Sequence, residues 1–60
     1  MNDLDALKIA RLMVKTYGGD AEAEINRRAE KALVDNDFDA FAAWGRVIVF
    51  VSDILDKDVS

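Results

Sequence analysis

Residues 44–55 read WGRVIVFVSDIL, and the reading of that stretch decides the fold. Its middle, RVIVFV at 46–51, has the β-branched and aromatic density of a strand. A strand needs a partner, and no other run in the chain has the alternating or β-branched character to supply one. A ribbon formed with a second molecule, without a packed face, is marginally stable at best. Read as a helix, the segment places Ala40, Phe41, Trp44, Val47, Ile48, Val51, Ile54 and Leu55 on one face at i, i+3, i+4, i+7 spacing. Valine or isoleucine costs a helix at most about 0.7 kcal/mol relative to alanine. Burying the same side chain contributes roughly 1.5–3 kcal/mol, so burial wins and residues 37–56 are predicted helical. The apolar run is also shorter than the ~18 residues of a membrane-spanning helix.

Two punctuation points lie upstream. At Gly18-Gly19-Asp20 a glycine can adopt the left-handed conformation that ends a helix, and Asp20 can accept backbone N–H bonds to start the next. At residues 35–39, DNDFD, Asn36 or Asp37 can cap the third helix, with the neighbouring aspartates favouring its positive end. The predicted fold is therefore all-α, with helices over about 3–17, 20–35 and 37–56. Short connections make sequential helices antiparallel neighbours.

The first of these helices gathers Ala6, Leu7, Ile9, Ala10, Met13, Val14 and Tyr17 on one broad face, with Lys8, Arg11 and Lys15 opposite. Leu4 and Leu12 do not fit, because both fall near the basic stripe. The second has a narrow seam of Ala21, Ile25, Ala29, Ala32 and Leu33, and its remaining surface carries i,i+3 and i,i+4 charge pairs. So little apolar area requires a larger element to lie against, and the third helix provides it.

That third helix has more apolar residues than one face can hold. Phe50 and Ala43 sit at the edge of the main face, and Val49, Ala42 and Phe38 fall on the far side. With two partner helices covering the rest, Leu4, Leu12, Phe38, Val49 and Phe50 are the expected interface residues. Exposed apolar patches on small proteins mark interaction surfaces, and the most economical occupant is a second copy in a symmetric homodimer.

The length of 60 residues points the same way. A single small domain over 1–60 buries only about 60% of its unfolded surface and is marginal alone. Support from disulfides is ruled out because there is no cysteine, and no histidine is present to help build a structural zinc site. Twelve acidic against eight basic residues give a net charge of −4, which is repelled by phosphate backbones and anionic membranes. No nucleic-acid or membrane partner is expected. Asp3 and Asp5 stand where a secretory signal would carry positive charge, so a cytoplasmic location is expected.

Chemistry-bearing motifs are thin, and the chain is read as a non-enzyme without metal or cofactor. Thr16, Ser52 and Ser60 have no activating histidine. Residues 35–39 imitate the opening of a calcium loop, but Ala40 replaces its turn glycine and Arg46 its bidentate glutamate. Gly18-Gly19 follows no strand and precedes no Gly-Lys-Ser/Thr, so it is a helix end rather than a phosphate loop. A DNA-reading third helix would have only Arg46 and Lys57 as bases. The functional expectation is a non-enzymatic protein-protein interaction module. The alternative is a small acidic regulatory binder, of the inhibitor or antitoxin kind, steered to a basic protein partner by its charge.

The succession Tyr17-Gly18-Gly19-Asp20-Ala21, then Arg27-Arg28-Ala29, then Asn36-Asp37 and Trp44-Gly45-Arg46-Val47-Ile48 resembles a pattern in short bacterial helical proteins. Those read Tyr-Gly-Asp-x-Ala, Arg-Ala, Gly-Asp and Trp-x-x-Ile in order. The likeness covers roughly residues 10–55. It departs at Asn36, where the pattern has glycine, and in the more apolar 47–51 run. Having no assigned activity, that group implies a helical fold and no functional residues.

Overall fold

The structure is a computed structural model that describes residues 2–59, with side chains through residue 57. It is all-helical, with no strand among the described residues. Helix α1 (Asp3–Tyr17) passes through a 3-10 turn (Gly18–Asp20) into α2 (Ala21–Val34), and a short turn leads into α3 (Phe38–Val59). The stretch WGRVIVFVSDIL lies wholly inside α3. Helix α3 runs past the expected end at 56, since aspartate and lysine are not helix breakers and Lys57 pairs one turn back with Asp53 at 3.2 Å.

Each helix boundary has a local cause. Asn2, in extended conformation, caps α1 by accepting the Asp5 N–H at 2.8 Å, and Asp3 and Asp5 occupy the positive first turn. Gly18, at φ 57°, ends α1 and donates its N–H to the Val14 carbonyl. Asp20 does not act as the expected side-chain cap of α2. Its backbone (φ −87°, ψ 1°) belongs to the 3-10 turn rather than to the extended region a capping residue occupies, and its side chain accepts no cap bond.

The two residues proposed to cap α3 divide the work. Asn36 takes φ 58° and closes α2, donating to the Leu33 carbonyl at 3.1 Å, while the Asp37 N–H reaches the Ala32 carbonyl at 2.8 Å. That pair of bonds is a Schellman ending with asparagine in the left-handed position. Only Asp37 caps α3, its carboxylate accepting the Ala40 N–H at 3.1 Å.

Helices α1 and α2 both pack mainly on α3 and touch each other far less. Of the sequential pairs, α2 and α3 pack closely, whereas α1 meets α3 more than it meets α2. The surface of α2 is mostly charged and alanine-sized, whereas α3 offers apolar residues around most of its circumference. Asp3 of α1 pairs with Arg46 of α3, and Tyr17 at the other end of α1 meets Arg28 of α2, whose guanidinium also covers Trp44.

The core consists of Ala6, Ala10 and Met13 of α1, Ala21 and Ile25 of α2, and Val47 and Val51 of α3. Of the third-helix residues expected inside, Val47 and Val51 are fully buried, while Trp44, Ile48, Ile54 and Leu55 pack at its margin, half-buried. Phe41, Tyr17 and Leu33, also expected on inward faces, are exposed. Two helices that meet α3 at different places cannot wrap it evenly. The result is a thin core in which alanines permit close approach but bury little area.

Candidate functional site

Four of the five expected interface residues are prominent on the surface: Leu4 and Leu12 are each 61% exposed, Phe38 62% and Val49 65%. Phe38, Ala42 and Val49 follow one another along the outer side of α3, away from Val47 and Val51. Leu4 and Leu12 lie on the outward side of α1 with the basic residues. The structure thus puts these apolar groups on two helices rather than in one compact patch.

Phe50 corrects the expectation. It is half-buried and packs against the core, with Leu7 and Arg11 of α1 lining the same hollow. One side of its ring remains accessible from two shallow hollows between α1 and α3. The first, of about 440 Å3, is lined by Asp3, Ala42, Arg46, Val49 and Phe50. The second is lined by Leu7, Arg11, Phe50, Asp53, Ile54 and Lys57. Phe50 is therefore the floor shared by both hollows and not a protruding anchor.

A further apolar group was not legible as such in the sequence. Leu33 and Val34 end α2, Phe38 and Phe41 begin α3, and all four are exposed, Val34 to 81%. The Schellman turn sets them at one tip of the α2–α3 hairpin. Leu33 fits the helical seam by spacing, yet it is 48% exposed.

Ion pairs fix the polar surface. Glu24 accepts from Arg27 at 2.6 Å and from Arg28 at 3.0 Å. Hydrogen bonds from Arg27 and then Arg28 hold the Glu24 carboxyl below the usual glutamate range, and the Arg27 guanidinium is correspondingly held more firmly in its charged form. Arg28 also donates to the Tyr17 hydroxyl at 3.1 Å, and its guanidinium lies 5.9 Å from the Tyr17 ring centroid and 5.4 Å from that of Trp44. Lys31 pairs with Asp35 at 3.3 Å, and Arg46 with Asp3. On α1, Lys8, Arg11 and Lys15 make no ion pair among the described residues.

The residues 35–39 that imitate a calcium loop are engaged at the hairpin turn: Asp35 with Lys31, and Asp37 as a helix cap. Among the described residues no three carboxylates, cysteines or histidines are grouped to hold a metal ion. Thr16 is exposed and Ser52 half-buried on helices, in a chain without histidine, while Ser60 lies outside the described residues. No helix among the described residues is long and apolar enough to cross a membrane. No family model, curated protein or solved structure matches this chain.

Proposed function

We propose that the chain is a non-enzymatic protein-protein interaction module, a three-helix arrangement completed by homodimerisation through α3 and the adjoining part of α1. The observation that carries this reading is the exposure of Phe38 and Val49 on α3 beside an open, apolar-floored groove at Phe50. Surface area supports it. A compact monomer of 6.7 kDa should expose about 3,900 Å2, whereas this chain exposes 4296 Å2. A specific interface takes about 800 Å2 from each partner, close to a fifth of the total surface, and covers more than the excess.

Light scattering coupled to size-exclusion chromatography tests the reading. The wild type is expected at twice the chain mass and Val49→Glu at the chain mass, with helical content unchanged because Val49 contributes nothing to the core. A wild type that is strictly monomeric overturns the homodimer.

A further inference from the structure

The cations of the chain divide by helix. Those of α2 and α3 are matched within the chain: Arg27 and Arg28 by Glu24, Lys31 by Asp35, Arg46 by Asp3 and Lys57 by Asp53. Among the described residues the three on α1 are not, although the chain as a whole has an excess of four negative charges. Lys8, Arg11 and Lys15 occupy one outward strip at i, i+3, i+7 spacing, and exposed Leu4 and Leu12 belong to the same side. Such a strip is complementary to a surface that carries carboxylates beside apolar side chains.

The chain presents such a surface on the outer side of α3. Val49 is exposed there, Asp53 and Asp56 follow it by one and two turns, and Asp56 has no ion pair among the described residues. The two strips meet at one place, since Arg11 lines the same hollow as Phe50 and Asp53. Resting on the homodimer reading above, we infer that the occupant of this face is a second copy of the chain, with the basic strip of α1 in each protomer docked on the carboxylate strip of α3 in the other. In a two-fold dimer a contact between residue i and residue j occurs twice. The same arrangement therefore gives both basic strips a carboxylate partner and sets Leu4 and Leu12 against the apolar side of the partner's α3.

Two variants test the pairing, both altered only at exposed positions. One is Lys8→Glu with Arg11→Glu, and the other is Asp53→Lys with Asp56→Lys. Each alone sets like charges against like and is expected to be monomeric, with its dissociation constant raised on the order of 100-fold. Mixed together they restore opposite signs at both contacts, so a heterodimer is expected in sedimentation or light scattering, weakening as salt is raised. Circular dichroism checks that both variants remain helical. A wild-type dimer that survives either reversal, or variants that do not associate when mixed, overturns the charge-paired docking and leaves the apolar homodimer to the Val49→Glu experiment. A wild type that is monomeric overturns both.

Discussion

The guanidinium of Arg28, on α2, lies 5.4 Å from the centroid of the Trp44 ring on α3. The same group covers the Tyr17 ring and bonds its hydroxyl at the end of α1. One cation thus joins residues of three helices. A cation–π contact at a partly exposed site contributes about 0.5–1 kcal/mol. Two such contacts on one guanidinium explain why the half-buried Trp44 needs no deeper pocket.

Replacing Arg28 with alanine should lower stability by about 1 kcal/mol through these contacts. For a domain this small that corresponds to a fall in Tm of roughly 4–8 °C. Lysine at this position should not restore it, because an ammonium cannot lie flat on the ring and bond Glu24 and Tyr17 together. Thermal melts followed by circular dichroism measure the effect, and an unchanged Tm for Arg28→Ala would show that the cluster is incidental.

Stability should also depend on acid through Glu24. Its carboxyl is held below the ordinary glutamate value of about 4.5 in the folded chain, chiefly by hydrogen bonds from Arg27 and Arg28. A depressed folded pKa means that the unfolded chain takes up the proton first as pH falls. The contribution is therefore present above the unfolded value and is lost as pH drops through the folded one. Wild type and Glu24→Gln should differ in Tm at neutral pH and converge in acid; a difference that persists at low pH would assign the effect to something other than this carboxylate.

Truncations should separate inside from outside. Ile25 is 1% exposed and belongs to the core, so Ile25→Ala is expected to cost about 2–5 kcal/mol. A chain of this size has on the order of 3–9 kcal/mol in all, and urea denaturation should find that variant largely or wholly unfolded. Val49→Ala, on the outer side of α3, should stay within about 0.5 kcal/mol when measured at concentrations where the chain is monomeric.

Two glycines should respond with opposite signs. A Cβ at Gly18 meets nothing within 4 Å, but the φ of 57° there is one that L residues avoid, so Gly18→Ala is expected to destabilise by about 1–2 kcal/mol. A Cβ at Gly45 also meets nothing within 4 Å, and the residue is in the interior of α3. Gly45→Ala should therefore stabilise the chain by about 0.5–1 kcal/mol. Chemical denaturation of the two variants decides both, and a destabilised Gly45→Ala would mean that the α2–α3 groove closes more tightly on α3 than it does here.

Helicity, the places where the helices break and the inward turn of Val47 and Val51 all follow from residue order, although Tyr17, Leu33 and Phe41 at inward positions stay exposed. The 3.6-residue period of Val47, Val51 and their neighbours outweighs the strand propensity of RVIVFV, because burial of each side chain exceeds its propensity cost. Gly18 and Asp37 mark turns through backbone and capping preferences that act within a few residues. The charge pairs of α2 were equally local. How far each apolar side chain is covered follows instead from the packing of one helix on another. That packing joins residues more than forty apart, as in the pairing of Asp3 with Arg46. Phe50 is partly covered while Val49 stays out, and Leu33 and Val34 are uncovered at the hairpin tip. Helical periodicity fixes the direction in which a side chain points, but only the placement of the neighbouring helix determines whether anything lies there to meet it.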